Sequence, residues 1–311
     1  MSRLQSRNMT NRWRFKRQRI PLHLLLIVGS AVMAYPLFFG LAASFSTVEA
    51  YTQSTWFPIP DSLYLENYTA LYRAQTRIPL WIMNTLLRIG WYVLIPGAAA
   101  VLCGYVFARL RFWGRDTVFM ILLASMMVPG IVYFVPTYVM IARWPLAGGN
   151  DIWGQGGHGF INEWPALLIP GIINVFYIFL MRQTFYSIPK DFEEAARVDG
   201  ANTLQVLARV YLPMLKPALT VMVIFQFVAI WNDYLWPLIV TGGNEDIWPV
   251  ALGIQRIMLS GSSIKGARGG FITDYPFAFA LATIATFPTI AIFVFLQRYF
   301  VEGVQGFAIK G

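Results

Sequence analysis

Long apolar runs constrain this chain more than any other feature of its sequence. A helix needs about 20 apolar residues to cross a bilayer, and six runs are long enough: 21–45, 84–109, 117–141, 164–186, 218–240 and 275–299. Only 13% of the residues are charged, whereas a typical globular domain has roughly 25%. The sequence therefore predicts an all-α membrane protein with six transmembrane helices rather than one large core.

The runs divide the chain into five predicted regions. A basic tail at 1–20 precedes a first helix at 21–45, and an outer loop covers 46–83. A core of five helices at 84–299 includes a polar segment at 189–213, and a tail covers 300–311. The first run is longer than the 7–15 apolar residues, roughly, of a signal peptide. It is therefore expected to be an uncleaved helix.

The distribution of lysine and arginine predicts the orientation. Basic residues concentrate in the N-terminal tail, in the loop after the second run and in the 189–213 segment. Because such residues favour the cytoplasmic side, both termini and the polar segment are expected to face the cytoplasm. The net charge of +9 then reflects the orientation of the chain in the membrane. It is therefore not evidence for a nucleic-acid partner. The single cysteine, Cys103, allows no internal disulfide.

The polar segment reads SIPKDFEEAARVDGANTLQVLARVYLPMLKP and carries signals for two short helices. Asp191 is a suitable N-cap for the first, with Glu194 in the capping-box position. Gly200 is a suitable end, since glycine adopts a left-handed conformation at little cost. Thr203 is a suitable cap for the second helix. Two prolines are expected to end that helix before the fifth run, Pro213 and Pro217.

Two interpretations of this segment remain open from the punctuation alone. An amphipathic segment of this kind can lie on the bilayer surface. Alternatively it docks into a partner protein, because Ala195 and Ala196 leave a slim face that can enter a groove. Glu193, Glu194 and Asp199 favour the second interpretation, since an anionic lipid surface prefers basic residues.

The stretch EEAARVDGANTLQVLARVYLPMLKPAL resembles the EAA motif of ATP-binding-cassette (ABC) importer permeases. That motif reads Glu-Ala-Ala, three residues, Gly, about nine residues, then a hydrophobic residue, any residue and Leu-Pro. The stretches WNDYLWPLIV (231–240) and LQRYFVEGVQGFAIKG (296–311) resemble the carbohydrate-uptake branch, which includes the six-span maltose permease subunit. The chain departs from the pattern at the bulky Phe307 and at a Gly-rich stretch, 146–159, which resembles an insertion in an outer loop.

This resemblance implies a type I ABC importer permease fold with a cytoplasmic coupling helix. It assigns contact with a partner ATPase to the residues Glu194, Ala195, Ala196, Asp199, Gly200, Ala201, Leu212 and Pro213. The implied function is a permease subunit that moves a sugar or related carbohydrate into the cell by ATP-driven alternating access. The implied location is the cytoplasmic membrane of a bacterium or archaeon.

The resemblance also implies partners. These are a second homologous permease, two copies of a cytoplasmic ABC ATPase, an extracytoplasmic solute-binding protein and membrane lipid. The chain has no G-x-x-x-x-G-K-[ST] motif, so ATP and Mg are expected on the ATPase subunits. The chain itself is expected to hold no cofactor and to catalyse no reaction.

Other functions remain as alternatives. A stand-alone secondary transporter or channel would be expected to carry several charges deep within its spans, often with repeat symmetry. An ABC importer permease for a non-sugar solute is a second alternative. A polytopic enzyme has little support, because no catalytic set is assembled. The only histidines are His23 and His158, and no H-E-x-x-H occurs, so no metal site is predicted.

Two charges fall within the predicted spans. An uncompensated acid such as Asp233 costs at least about 2.5–3.5 kcal/mol at mid-bilayer, so it should face the bundle interior or water. It either lies along a solute path with Asn232, Trp231 and Trp236, or makes an interhelical hydrogen bond that fixes packing. Arg88 is near the start of the second run, and its long stem is expected to snorkel to the outer surface.

Overall fold

A computed structural model describes the backbone of residues 2–54, 56–60, 62–74, 77–261, 263–265 and 271–308. Side chains are described for 21–54, 56–60, 62–70, 77–259 and 274–297. The described chain is mainly helical and forms two compact units, the first from residues 1–74 and 260–284, the second from 75–259 and 285–311. An all-helical architecture is confirmed, apart from one short β-hairpin.

The first unit is built around the end of a long N-terminal helix. Its elements are α1 (Ser2–Ser44), α2 (Val48–Gln53), α3 (Glu66–Ala74), the antiparallel pair β1 (Ser263–Lys265) and β2 (Phe271–Thr273), and the start of the last helix. Asn67 on α3 is buried and donates to the carbonyls of Ser44 and Ser46 at 2.9 and 3.0 Å. The first bond satisfies a carbonyl at the C-terminal end of α1 that has no partner within the helix, and the second holds the chain just after it. Helix α1 also continues through the predicted tail at 1–20.

The second unit contains most of the helices, several of them short. In chain order they are α4 (Ile78–Arg109), α5 (Arg115–Ser125), a 3-10 turn (Gly130–Tyr133), α6 (Phe134–Ala142), α7 (Trp164–Leu168), α8 (Val175–Ser187), α9 (Asp191–Val198), α10 (Thr203–Gln205), a π-helical turn (Val206–Tyr211), α11 (Leu212–Met214), α12 (Lys216–Trp231), α13 (Leu235–Val240), a 3-10 turn (Glu245–Ile247), α14 (Val250–Gly261) and α15 (Tyr275–Ala308).

The predicted count of six spans is not confirmed. Among the residues that the structure describes, three stretches are long and apolar enough to cross a membrane: Pro21–Ser44, Ile78–Arg109 and Tyr275–Gln297. Two further spans are reached only if bent pairs count as one each, Arg115–Ser125 with Gly130–Ala142 (93°) and Thr203–Met214 with Lys216–Trp231 (76°). The predicted fourth span, 164–186, is divided into α7 and α8 by residues 169–174.

Helices α4, α8 and α12 form the core of the second unit. Gly104 on α4 lies against α8 so closely that an added Cβ would be 2.5 Å from the Cβ of Met181. Small residues of this kind let membrane helices approach at backbone distance. Large buried side chains fill the adjacent space, among them Tyr105, Phe185, Tyr211 and Leu215. The core therefore holds the base of the polar segment in a fixed position.

The Gly-rich stretch between α6 and α7 is irregular and is held together by side-chain hydrogen bonds. Asn150 donates to the carbonyls of Ala142 and Trp144, both at 3.0 Å. Asp151 Oδ1 accepts from the backbone amides of Trp153 and Gln155. Trp153 itself is 77% exposed. The loop thus presents an exposed aromatic side chain from a well-bonded backbone.

Candidate functional site

The predicted coupling segment, residues 189–213, folds into two helical turns around Gly200, but its caps differ from the prediction. Asp191 is the first residue of α9 and makes no cap hydrogen bond, because Lys190 occupies the N-cap position. The second helix is capped by Asn202 rather than Thr203, in a reciprocal capping box with Gln205. Gly200 ends α9 with a φ of +84°, as the sequence predicts.

The second of these helices also ends later than predicted. It continues as a π-helical turn and then as α11, which includes Pro213. The chain bends after Met214 and restarts as α12 at Lys216, with Pro217 in its first turn. Proline is tolerated there because the first-turn amides have no intrahelical acceptor.

The residues assigned to the ATPase contact lie on two different sides of this segment. Ala196 and Ala201 pack against the core, and the Ala201 amide donates to the Ala196 carbonyl at 2.9 Å. The others lie on the exposed side: Glu194, Ala195, Asp199, Gly200, Leu212 and Pro213. The outer face is also apolar, with Phe192 50%, Val198 88% and Leu204 70% exposed. An exposed apolar surface of this kind is typical of a protein contact.

Glu193, which was not among the predicted site residues, attaches α9 to the core. Its carboxylate accepts hydrogen bonds from the Tyr211 hydroxyl at 2.7 Å and from Arg197 at 2.8 and 3.1 Å. Burial alone would raise the pKa of Glu193, but these hydrogen bonds and the nearby arginine charges lower it below its ordinary value. The carboxylate is therefore held ionised. The i, i+4 spacing of Glu193 and Arg197 predicts their ion pair, but it does not predict the hydrogen bond from Tyr211.

Tyr211 lies in a cluster of rings at the base of the segment. Its ring centroid is 5.2 Å from that of Phe185 and 5.8 Å from that of Tyr105. The Arg109 guanidinium is 5.1 Å from the Tyr211 ring centroid and donates to the carbonyls of Phe185 and Ile188. Glu193 and Tyr211 thereby connect α9 to α4 and α8.

A second polar site lies between α4 and the break that separates α12 from α13. Arg88 Nη2 pairs with Asp233 Oδ2 at 2.5 Å. The Arg88 side chain is 2% exposed and that of Asp233 is 25% exposed. The expectation that Arg88 snorkels outward is therefore wrong. Asp233, in the non-helical break, lies within reach of the Arg88 side chain. The ion pair compensates both charges, so Arg88 does not need to reach water.

The same site satisfies the backbone of the divided fourth run. Arg88 Nε donates to the Leu167 carbonyl at 3.4 Å, and the Tyr92 hydroxyl donates to the carbonyls of Leu167 and Pro170. The indole of Trp91 donates to Leu168 at 3.0 Å. Irregular backbone at membrane depth requires partners of this kind. Arg88 is consequently the point at which α4 and both helix breaks meet.

The predicted solute-path residues occupy different positions around this site. Trp236 is buried and donates to the Ala166 carbonyl at 2.9 Å. Trp231 is buried, donates to the Ala285 carbonyl at 2.8 Å and stacks on Phe227. Asn232 is exposed and donates to the Val228 carbonyl one turn earlier. Of the four, only Asp233 combines a charge with partial exposure.

Several apolar helices, two of them interrupted by irregular segments, together with an exposed helical segment bonded to their core, are typical of a multi-pass membrane protein. A family model described as the inner membrane component of binding-protein-dependent transport systems matches residues 100–306. This match spans more than half of the chain, so the chain belongs to that family.

The chain is similar over almost its full length to curated members of such systems. It is 29% identical to the osmoprotective compounds uptake permease GgtD of Synechocystis, over 97% of this chain and 96% of the relative. It is 26% identical to the arabinooligosaccharide transport permease AraQ of Halalkalibacterium halodurans, over 95% and 100%. One chain in the crystal structure of a bacterial ABC transporter for alginate import shares the fold, with a TM-score of 0.75 at 24% identity, covering 92% of this chain and 97% of that one.

Proposed function

We propose that this chain is one permease half of an ABC importer that carries a sugar, oligosaccharide or related carbohydrate. A second homologous permease completes the pathway, and an extracytoplasmic protein delivers the solute. Two copies of a cytoplasmic ATPase bind ATP and Mg and supply the work for alternating access. The relatives that transport arabinooligosaccharides and lactose support the carbohydrate assignment.

The observation that carries this proposal is the attachment of an exposed helical segment to the membrane core. Residues 189–213 act as the coupling segment, and the exposed side chains of Phe192, Val198 and Leu204 enter a cleft in the ATPase. Gly200 sets the turn, and Ala195 allows close approach. Glu193, which bonds to Tyr211 at 2.7 Å, transmits the displacement to the core. Glu194 and Asp199 are free to orient the segment within the cleft.

The chain crosses the cytoplasmic membrane six times in this proposal, with both termini inside. The bent pair α5–α6 counts as one crossing, the divided run α7–α8 as another, and α12 with α13 as a third, which leaves residues 189–213 on the cytoplasmic side. Support comes from the side chains that satisfy the carbonyls between α7 and α8, since such partners make a broken helix tolerable within a bilayer.

The solute passes the break between α12 and α13 in this proposal. Asp233 keeps part of its carboxylate exposed while Arg88 neutralises it from behind. An ionised carboxylate only accepts hydrogen bonds, so hydroxyl-rich solutes suit it. A non-sugar solute is the second candidate, because the relative from Synechocystis takes up osmoprotective compounds.

Replacement of the most exposed apolar residue of the coupling segment tests the proposal. Val198→Asp should remove ATPase co-purification and solute uptake while the chain still inserts into the membrane, because a charge would be desolvated in the cleft. Ile152→Asp is the matched control, since Ile152 is 64% exposed in the Gly-rich loop and should leave ATPase binding intact. Uptake by wild-type chain in the absence of any ATPase would instead identify a stand-alone transporter.

A further inference from the structure

A basic and aromatic pocket occurs at the turn between α4 and α5, and its lining residues belong to neither of the sites described above. The cavity has a volume of about 430 Å³ and is lined by Arg111, Phe112, Gly114, Arg115, Asp116 and Thr117. We call it the Arg111 pocket. Its volume is within the range of roughly 300–1,000 Å³ of typical small-molecule sites, and it opens to the surface.

Among the charged residues around the Arg111 pocket, Arg111 is the one without an ion-pair partner in the described part of the chain. Asp116, its one acid, already accepts from Arg115 at 3.1 Å and from Arg182 at 3.1 Å. Arg111 is exposed and makes no hydrogen bond or ion pair within the part of the chain that the structure describes. Arg115 and Arg182 therefore share one carboxylate, while Arg111 has no acidic partner among the described residues. The pocket is suited to an anion, and guanidinium groups bind phosphate oxygens in a bidentate geometry.

The position of the Arg111 pocket fixes the source of that anion. Helix α4 is a candidate span that ends at Arg109, and α5 starts the next apolar segment at Arg115. Only residues 110–114 connect them, so the turn remains at the level of the bilayer surface. Trp113 in this turn is 99% exposed and Phe112 is 43% exposed. Tryptophan side chains prefer the interface between headgroups and acyl chains, where phospholipid phosphates lie.

We propose that the Arg111 pocket binds the phosphate headgroup of an anionic phospholipid, with Trp113 placed among the neighbouring lipids. Clustered basic residues next to a span attract anionic lipids in this way. The bound lipid also has a route to the rest of the molecule. Arg182, which shares Asp116 with the pocket, is on α8, and α9 follows α8 after only a short turn.

Lipid titration of the full-length chain, purified with the subunits that accompany it, tests this proposal. Native mass spectrometry would compare phosphatidylglycerol with phosphatidylcholine. Arg111→Gln should weaken phosphatidylglycerol binding on the order of fivefold, since each basic residue at a membrane surface contributes about that factor. Phosphatidylcholine binding should be unchanged, and Arg111→Lys should keep most of the preference. Arg111 makes no hydrogen bond or ion pair with any residue that the structure describes, so folding should not be affected.

Arg143→Gln is the matched control, because Arg143 is also exposed but lies beside the Gly-rich loop. It should leave the lipid preference unchanged. Equal phosphatidylglycerol affinity of wild type and Arg111→Gln would overturn the proposal. Displacement of the lipid by millimolar inorganic phosphate would also overturn it, since the ligand would then be a free anion. A photo-crosslinking residue at position 113 should capture lipid, whereas capture of a protein subunit would assign the turn to a protein interface.

Discussion

Two ion pairs of this chain, Arg88–Asp233 and Glu193–Arg197, differ mainly in their access to water. Arg88 is 2% exposed and Asp233 25% exposed, and the pair joins a candidate span to a break between helices. In the second pair Arg197 is 44% exposed and Glu193 14% exposed, and both partners are on one short helix. The first pair connects distant parts of the core, whereas the second stabilises one segment at its edge.

This difference determines how strongly each pair holds together the elements that it joins. A buried charge that loses its partner is costly, so α4 and the α12–α13 break have to remain together. An exposed pair contributes little, because water replaces either partner. The attachment of α9 therefore depends less on Arg197 than on the hydroxyl of Tyr211, which bonds to Glu193 at 2.7 Å. The Tyr105 hydroxyl adds a longer hydrogen bond to Glu193, at 3.4 Å.

The largest expected effect is the loss of one buried charge. Arg88→Ala leaves Asp233 without its partner and removes a donor to the Leu167 carbonyl. We expect a loss of about 3–5 kcal/mol in the free energy of unfolding, measured by thermal unfolding of the purified chain.

Two variants sharpen this comparison. Arg77→Ala removes an exposed arginine that pairs with Asp246 and should cost at most about 1 kcal/mol. The double variant Arg88→Met with Asp233→Leu should recover much of the lost stability, because neither charge then remains buried alone. If Arg88→Ala and Arg77→Ala lower the free energy of unfolding equally, the Arg88–Asp233 pair does not hold α4 to the α12–α13 break.

A smaller effect is expected at the edge of the core. Glu193→Ala removes the acceptor of Tyr211 and should cost about 1.5–3 kcal/mol, the usual contribution of a hydrogen bond to a charged group. Hydrogen–deuterium exchange should rise across residues 191–205 and uptake should fall. Glu194→Ala is the matched control, since Glu194 is exposed, and should leave exchange unchanged. If both variants exchange alike, Glu193 is not the attachment point.

The parts of the fold that depend on local signals could be predicted from the sequence. The polar segment was predicted as two helical turns around a glycine, and Gly200 has the expected left-handed backbone. The caps were less predictable, because several neighbouring residues can serve as caps. Asn202 takes this role through a bond with Gln205 that competes with the predicted use of Thr203.

The parts that depend on distant partners could not be predicted. Tyr211 is 18 residues from Glu193, and Arg88 is 145 residues from Asp233. Hydropathy indicates that a charged residue lies within a predicted span, but it does not indicate which residue of opposite charge pairs with it. The division of the fourth run has the same origin. Pro170 and Gly171 weaken a helix at this point of the sequence. A full break also requires the hydrogen-bond donors of Trp91 and Tyr92, which the sequence does not place there.

The turn at Gly200 tests a still weaker contribution. An added Cβ would meet no atom within 4 Å, so only the positive φ of +84° opposes substitution. Gly200→Ala should therefore cost about 1 kcal/mol, and Gly200→Asn less, because asparagine tolerates this conformation. Gly130→Ala is the control, since Gly130 has equally open space without a positive φ, and its thermal midpoint should not change. A loss at Gly130 as large as the loss at Gly200 would show that the positive φ of Gly200 is not what opposes its substitution.

The smallest expected effect is protonation of Glu193, because a protonated carboxyl keeps its shape and can still accept a hydrogen bond. Its pKa in the folded chain is below the ordinary glutamate value of 4.5. A lowered carboxyl pKa contributes stability that is present above the unfolded-state value and is lost as the pH falls through the folded-state value. Thermal midpoints of wild type and Glu193→Gln should therefore differ at pH 7 and converge as the pH falls below 4.5. A difference that persists unchanged at pH 3 would mean that the ionised carboxylate does not stabilise the attachment of α9, and that the Tyr211 hydroxyl would be held equally well by a neutral acceptor.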